Sequence, residues 1–319
     1  MKVLITGSCG FIGFNLSNFL LKKKIKVIGI DNLNNYYDVN LKKNRIKDLK
    51  KNKKFFFYKV DLSNYKKIDN IVKNKKIKII IHLAAQAGVR YSIKNPRTYF
   101  KSNLEGFFNV LEISRHNNIK HLIYASTSSV YGDSKKFPLS EINRTDNPLS
   151  FYAATKKSNE VLAHSYSYIY NLPCTALRFF TVYGPYGRPD MALFKFTKNI
   201  IKGKPIEVFN KGKHERDFTY VDDIVDGIFN IIINKKSKFG AKIFNIGNGK
   251  KIKLLKYIQL IEKNLDRKSK KKFLPLQKGD VIKTLSDTKL IKKHYNYQPK
   301  TNVSYGVKKF IEWYISYFK

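Results

Sequence analysis

The segment Ser150-Phe151-Tyr152-Ala153-Ala154-Thr155-Lys156 sets a phenol and an ammonium four residues apart. On a helix that spacing puts both groups on one face. An ammonium beside a phenol stabilises the phenolate and brings its pKa toward working pH, so Tyr152 becomes a usable general base. In a chain with 21 Tyr and 63 Lys plus Arg, such a pair also arises by chance on a surface, so it needs support from elsewhere. Upstream, Tyr124-Ala125-Ser126-Thr127-Ser128-Ser129-Val130-Tyr131-Gly132 brings a run of hydroxyls to the end of an apolar stretch. In open α/β sheets the carboxyl ends of the strands face the ligand crevice, where one of these hydroxyls could bond a reacting hydroxyl. A Ser-rich loop bonding its own backbone is the plainer alternative.

A third constellation lies at the start of the chain, in Gly7-Ser8-Cys9-Gly10-Phe11-Ile12-Gly13. Glycines let a backbone turn tightly and approach a pyrophosphate, and the free N–H groups at the helix start that follows face the anion. The spacing is G-x-x-G-x-x-G, not the commoner G-x-G-x-x-G, and a tight turn alone would also want glycines. Asp31 follows a second apolar run, where a carboxylate can bond a ribose diol. Its successors, Asn32-Leu33-Asn34-Asn35, contain no Arg or Lys to receive a 2′-phosphate, so NAD is expected over NADP. Asp61, after a third such run, is placed to contact the adenine amine. Each Asp taken alone is a helix cap or turn residue. The order of strand, glycine turn, helix, strand and acid is what points to a dinucleotide.

The elements that must position these groups are legible as alternating patterns. Strand-like runs cover residues 2–6, 26–30, 55–60, 77–83, 121–125 and 174–179. Helical patterns lie near 11–22, 66–73 and 98–117, and a long helix begins near Ser150. Such alternation predicts a doubly wound α/β fold, a parallel Rossmann-type sheet with helices on both faces. The run 77–83 is almost continuously apolar, as a strand buried on both sides requires. After Phe180 the texture changes to a turn-rich stretch with short strands. Residues 221–233 and 242–246 again resemble core helix and strand. The expected organisation is a first domain over 1–180, completed by about 219–247, with a smaller interleaved lobe from 181–218 and 248–319.

Composition bounds the alternatives. No stretch approaches the ~20 apolar residues that span a bilayer. The strand pattern beginning at Lys2 leaves no room for a signal peptide. Cys9 and Cys174 fall in different expected elements, so a cytoplasmic location without disulfides is expected. The 63 Lys and Arg against 23 Asp and Glu give a net charge of +40. This excess is mostly Lys, scattered along the chain with Ile and Asn, and reads chiefly as compositional bias. Clusters such as Lys50-Lys51-Asn52-Lys53-Lys54 and Lys268-Ser269-Lys270-Lys271-Lys272 are expected as solvated loops or helix ends. Nucleic-acid binding is the lesser reading, and no metal is expected.

With these residues in hand, the chain resembles the extended short-chain dehydrogenase/reductase family of NAD-dependent epimerases and dehydratases over essentially its whole length. The match rests on Gly7 to Gly13, Asp31, Asp61, His82-Leu83-Ala84-Ala85, Thr127, Tyr152, Lys156 and Arg216-Asp217-Phe218, in the family's order. Within the family it looks most like the UDP-glucuronate 4-epimerases. That finer likeness lies in Ala84-Ala85-Gln86-Ala87-Gly88-Val89-Arg90-Tyr91-Ser92, Leu177-Arg178-Phe179-Phe180-Thr181-Val182-Tyr183-Gly184-Pro185 and Gly187-Arg188-Pro189-Asp190-Met191-Ala192.

The resemblance implies that NAD stays bound and takes hydride from C4 of a UDP-sugar, while Tyr152 accepts the hydroxyl proton. Lys156 holds the nicotinamide ribose, and Thr127 bonds the reacting hydroxyl. Hydride then returns to the opposite face, with no net redox change. By the same resemblance, Gly7, Gly10, Phe11, Ile12, Gly13, Asp31, Asn32, Asp61, Leu62, Leu83, Ala84 and Ala85 line the cofactor. The smaller lobe binds the sugar nucleotide, with Arg216 on the diphosphate, Arg188 on the uridine or diphosphate side and Asp280 on a ribose. Arg90 joins the substrate set, and Thr181, Ser128 and Ser129 form a hydroxyl cradle for a C6 carboxylate. Related dehydratases carry Asp-Glu after this Thr, and decarboxylases carry Ser-Glu. Ser128 and Ser129 supply neither acid nor base, which favours epimerisation.

The resemblance further implies a homodimer through helices near 98–117 and 151–170, with Tyr99, Phe107, Leu111, Leu162, Tyr166 and Tyr170 as apolar contacts. Ordinary helix–sheet packing explains the same periodicity. Two rivals stay open: a 4-epimerase of UDP-glucose or UDP-N-acetylhexosamines, and a non-enzymatic NAD-binding protein that holds RNA or another polyanion.

Overall fold

The computed structural model describes residues 1–234 and 240–318. Seven strands build the main sheet: β1 (Lys2–Thr6), β2 (Lys26–Asp31), β3 (Phe55–Lys59), β4 (Ile79–His82), β5 (His121–Thr127), β6 (Cys174–Phe179) and β10 (Ala241–Ile246). The remaining strands are β7 (Thr181–Tyr183), β8 (Ile206–Val208), β9 (Glu215–Tyr220), β11 (Lys251–Lys253) and β12 (Lys271–Phe273). The helices are α1 (Phe11–Lys22), α2 (Val39–Lys50), α3 (Tyr65–Asn74), α4 (Val89–Lys94), α5 (Pro96–Tyr99) and α6 (Gly106–His116). They continue with α7 (Phe151–Tyr170), α8 (Ala192–Ile201), α9 (Val221–Ile233), α10 (Leu254–Leu265), α11 (Lys289–Tyr295) and α12 (Val303–Phe318). A π-helical turn, Phe100–Glu105, joins α5 to α6.

The sheet order is β10-β6-β5-β4-β1-β2-β3, with β1 paired in parallel to both β2 and β4. The order therefore reverses at β1, the switch point where doubly wound sheets open a crevice at their carboxyl ends. This is the mostly parallel Rossmann-type sheet expected from the alternating pattern. The central strands are apolar along their length because both faces are covered. Leu4, Ile28, Ile80, Leu122 and Ala176 of the sheet share one core with Ile68, Val72, Phe107, Leu111 and Ala163 of α3, α6 and α7.

Two compact units partition the chain. The first comprises residues 1–132, 144–178 and 228–244; the second comprises 133–143, 179–227 and 245–319. The divisions fall at 178/179 and 227/228, compared with the expected 180 and 219, and residues 133–143 belong to the second unit. The physical reason for the last is backbone pairing, since Leu139 bonds Leu285 and bridges Ser286. The second unit has a small sheet in which β7 runs parallel and β11 antiparallel to β9, and a separate parallel pair, β8 with β12.

Three local features refine these expectations. The stretch 268–272 is neither loop nor helix end throughout, because Lys271–Phe273 pairs with Ile206–Val208 as β12. The expected helix at 98–117 runs continuously through α5, the π turn and α6, with the π turn as a local irregularity. Helix α2 was not anticipated, because its sequence VNLKKNRIKDLK carries three apolar anchors, Leu41, Ile46 and Leu49, among polar residues. No helix among the described residues is long and apolar enough to cross a membrane.

Candidate active site

At the end of β1 the chain turns through Gly7, whose φ of +71° favours glycine. The N–H groups of Gly7 and Ser8 both reach the Ile30 carbonyl, at 2.8 and 3.2 Å, which ties the turn to β2. A side chain at Gly13 would stand 2.1 Å from the Gly7 carbonyl oxygen, so helix and turn touch backbone to backbone. Helix α1 starts at Phe11 and Ile12 with neither a side-chain cap nor an acidic residue in its first turn. Its N-terminal amides therefore suit an anion.

Asp31 closes β2 and is buried; its carboxylate accepts the N–H groups of Cys9 at 3.1 Å and Leu33 at 2.9 Å. Helix α2 brings two further cations to this neighbourhood that residues 32–35 do not contain. The buried Lys42 ammonium bonds the Asn34 carbonyl and side chain, at 2.9 and 2.7 Å, and burial lowers its pKa while Asp31 opposes the shift. Buried Arg45 donates to the Cys9 carbonyl and to Tyr37. Both cations are thus engaged in holding the loop that carries Asn32. Asp61 is exposed and receives Asn32 Nδ2 at 2.7 Å and Ser63 N at 3.0 Å. Burial acts to raise its pKa, but the Asn32 and Ser63 bonds prevail and lower it. Leu62 turns its side chain into the core against Gly106, and its carbonyl accepts Asn109 Nδ2 at 2.8 Å.

The loop after β4 is fixed by residues that spacing alone did not single out. The Thr6 hydroxyl lies 2.8 Å from His82 Nδ1 and accepts the Ala84 N–H at 3.2 Å. Leu83 N–H bonds the Thr6 carbonyl, so Leu83, Ala84 and Ala85 leave the sheet beside the glycine turn. Burial, with Lys156 adding to it, depresses His82 to about 3 and keeps it neutral. One step on, the buried Asn103 of the π turn grips the backbone of Gln86 at 2.8 and 3.0 Å and reaches Thr155 at 3.1 Å. The π turn was the missing signal: it exists only where a helix has been locally unwound.

Helix α7 begins at the Ser150 cap, whose hydroxyl accepts the Ala153 N–H at 3.2 Å. Its first turns carry Tyr152, which is half-buried with its ring 6.0 Å from that of Tyr99, and Lys156, which is buried. Lys156 Nζ donates to the Ala125 carbonyl at 2.9 Å. Burial pushes its pKa down to about 8, and Glu160 pulls against that shift. At the tip of β5, Thr127 donates to Ser129 Oγ and accepts the Ser129 N–H, both at 3.2 Å. Ser128 and Ser129 lie in the short 3-10 turn that follows. Ser126 turns inward instead, its hydroxyl donating to Glu160 Oε1 at 2.6 Å.

Four of the five remaining candidates sit in the second unit, and Arg90 lies on the exposed face of α4 in the first. Arg216 on β9 donates to the carbonyls of Val281 and Ile282, which seats its guanidinium beside the Asp280 loop. It does not pair with Asp217, whose buried carboxylate is taken up by Asn248, Gly249 and Ser286. Arg188 forms a fork-to-fork pair with Asp190, with Nε to Oδ1 at 3.0 Å. Thr181 opens β7 opposite Phe218, two residues along β9 from Arg216. Asp280 is half-buried, its N–H on the Gln277 carbonyl. Among the described residues no group of three or more His, Cys, Asp or Glu could hold a metal.

Comparison with known proteins places this geometry in context. Residues 3–247 match the model of the NAD dependent epimerase/dehydratase family. Protein CapI of Staphylococcus aureus is 48% identical over 334 aligned positions, covering 100% of both chains. A UDP-glucuronate 4-epimerase of Thermodesulfobacterium geofontis is 42% identical, covering 97% of this chain and 95% of that one. The crystal structure of UDP-glucuronic acid 4-epimerase from Bacillus cereus, in complex with UDP-glucuronic acid and NAD, superposes with a TM-score of 0.94. It is 34% identical, over 99% of this chain and 100% of that one.

Proposed function

We propose that this chain, which belongs to the NAD dependent epimerase/dehydratase family, interconverts UDP-glucuronate and UDP-galacturonate by epimerisation at C4. The observation that carries the reading is the β5 tip. Thr127 leads into Ser128 and Ser129 beside a helix whose Lys156 is bonded to the same strand, and neither serine is an acid or a base. Relatives that carry the name UDP-glucuronate 4-epimerase support the substrate.

The residues present fit NAD. The turn from Gly7 to Gly13 brings backbone close to the start of an uncapped helix, and Asp31 holds a carboxylate at the end of β2. In this reading Gly7, Gly10, Phe11, Ile12 and Gly13 hold the pyrophosphate. Asp31, Asn32, Asp61 and the Leu62 backbone hold the adenosine, and Leu83, Ala84 and Ala85 line the remainder. When bound, NAD supplies a reversible hydride acceptor. Tyr152 takes the proton of the C4 hydroxyl, and Thr127 orients that hydroxyl. The Lys156 ammonium, fixed on the Ala125 carbonyl, stabilises the phenolate form of Tyr152. Oxidation at C4 makes a β-keto acid that readily loses carbon dioxide. Ser128, Ser129 and Thr181 restrain the carboxylate with neutral donors so that its carbon–carbon bond does not align with the ketone.

Arg216 and Arg188 serve the diphosphate side, a role in which a planar fork matches paired phosphate oxygens. Arg188 is also paired with Asp190, and Arg216 also donates to the carbonyls of Glu215, Val281 and Ile282. Arg90 and Asp280 complete the substrate set. The lobe expected at 181–218 and 248–319, read here as the second unit, binds the sugar nucleotide, and the first unit carries the cofactor. The reading includes a cytoplasmic location, which the two buried free thiols, Cys9 and Cys174, support. It also includes a role in surface-polysaccharide supply.

A homodimer through α6 and α7 belongs to the same reading, with one correction to its contacts. Tyr99, Phe107 and Leu111 are fully buried in their own core and are not available. Phe108, Val161 and Tyr168 are exposed on these helices, at 46%, 58% and 84%, and take their place. The test of function is an NMR time course of the purified protein with NAD and UDP-glucuronate. UDP-galacturonate without carbon dioxide is expected. A UDP-pentose would overturn the carboxylate restraint, and turnover of UDP-glucose alone would overturn the substrate.

A further inference from the structure

One turn beyond Lys156, on the same face of α7, Glu160 is 3% exposed. Its Oε1 accepts the Ser126 hydroxyl at 2.6 Å and Arg178 Nε at 2.9 Å, while Oε2 accepts Arg178 Nη2 at 2.8 Å. Arg178 is itself 2% exposed on β6, and its guanidinium lies 4.8 Å from the centre of the Tyr131 ring. Burying both charges carries a large desolvation cost that an apolar pair of equal volume would avoid, so the pair is poorly explained as a stabilising device.

Its placement suggests a different task. Ser126 immediately precedes Thr127, and Tyr131 closes the 3-10 turn that contains Ser128 and Ser129. The ion pair thus holds the chain at both ends of the Thr127-Ser128-Ser129 tip. One helix face also grips two successive strand residues, with Lys156 on the Ala125 carbonyl and Glu160 on the Ser126 hydroxyl. Side chains alternate faces along a strand, so fixing Ser126 inward fixes the side on which Thr127 emerges.

We propose that Glu160 is a positioning residue for the reacting centre. With Arg178 it sets the register of the Thr127-Ser128-Ser129 tip against the helix that carries Tyr152 and Lys156, and its carboxylate keeps the nearby Lys156 ammonium charged. The inference rests on the epimerase reading above. Lys156 sits where burial lowers its proton affinity to about 8, and Glu160 is the charge that opposes this. Other groups facing α7 do not replace it. His82 on β4 is neutral, and Tyr124 on β5 is a buried phenol held well above its ordinary pKa. Tyr99 of α5 meets the ring of Tyr152, Tyr131 lies under Arg178, and Glu112 of α6 bonds Tyr166, more than two turns farther along the helix.

The experiment compares kcat against pH for the NAD-loaded full chain and its Glu160→Gln, Glu160→Asp and Ser126→Ala variants, using UDP-glucuronate. The alkaline limb of the profile follows loss of the Lys156 ammonium. Glu160→Gln is expected to move the alkaline limb down by about one pH unit, a roughly tenfold loss of kcat above that limb, with KM little changed. Glu160→Asp should restore the limb, and Ser126→Ala should lower kcat evenly without moving it. An even loss in Glu160→Gln across all pH, or no loss, overturns the proposal. Should Glu160→Gln fail to fold with Arg178 unpaired, Glu160→Gln/Arg178→Met removes both charges and must show the same shifted limb.

If the wild type turns over no UDP-hexose, the epimerase reading fails separately. Amide hydrogen exchange at residues 125–131 and 152–156 in the NAD-loaded chain then judges the grip alone. Faster exchange in Glu160→Gln supports the grip, and unchanged exchange removes it.

Discussion

Replacing Gly13 by Ala tests whether the start of the chain is built for close backbone approach. The added methyl would lie 2.1 Å from the Gly7 oxygen, 2.9 Å from the Gly7 carbonyl carbon and 3.0 Å from Ser8 Cα. Ordinary contact with a carbonyl oxygen is more than 1 Å longer than the first of these, on the order of 3.4 Å and above. The turn cannot retreat, because Gly7 and Ser8 are pinned to Ile30 and Gly7 itself abuts the Ala84 backbone. Helix α1 must therefore lift from the strand. Overpacking of this kind costs about 1–3 kcal/mol, or roughly 2–12 °C of Tm for a domain of this size. The same movement misaligns the amides at the helix start. NAD affinity should fall on the order of 100-fold, removing about 2.7 kcal/mol of cofactor-induced stabilisation at a saturating concentration. Thermal melting with and without NAD, together with calorimetric titration, reads both effects. Gly203→Ala is the control: its φ of +65° imposes strain, but nothing lies within 4 Å of the added methyl. That variant should lose about 1 kcal/mol and keep its NAD affinity. If Gly13→Ala binds NAD within about twofold of wild type and melts within about 1 °C, the close-approach reasoning is wrong.

Tyr152→Phe should keep NAD binding but lower epimerisation by about 10²–10⁴-fold, the usual worth of a positioned general base; retained turnover would remove Tyr152 from the chemistry. Phe108→Glu with Val161→Lys should convert the proposed dimer to monomer in light scattering, because both side chains are exposed on α6 and α7. An unchanged mass would place any interface elsewhere. Glu112 is held down at about 2 by its Arg115 bond, which with Tyr166 overcomes burial. Its pKa in the fold is thus below the ordinary 4.5, so the unfolded chain binds more protons between these values. The stabilisation is complete above about 4.5 and drains away as pH falls toward 2. Glu112→Gln should therefore flatten the dependence of Tm on pH in that window, and an unchanged slope would show the Arg115 bond to be idle.

The local part of this protein was legible from its residues. Apolar runs separated by amphipathic stretches identified the sheet, because burial on both faces leaves continuous apolar strands. Glycines at 7, 10 and 13, the acid at 31 and the Tyr152/Lys156 spacing are local requirements of a turn, a strand end and a helix face, and they survive in linear order. Helix α2 was missed because its anchors are too sparse for periodicity, and the Lys42 and Arg45 cations near Asp31 were missed with it. Tyr99, Phe107 and Leu111 show the same limit from the other side, since a helical stripe does not say whether it faces its own sheet or a second chain.

Only the tertiary structure decided which polar groups are spent inside. Ser126 and Thr127 are buried neighbours with hydroxyls of equal promise, yet one donates to Glu160 and the other to Ser129 at the strand tip. Arg188 and Arg216 look alike in sequence, but one is paired with Asp190 and the other donates to three backbone carbonyls. The meeting of Glu160 with Arg178, and of Asn103 with Gln86 and Thr155, joins residues far apart in the chain. Such contacts leave no period in the sequence. They are set by which strands become neighbours when the sheet closes around its core, and that arrangement places buried polar groups where only specific partners can satisfy them.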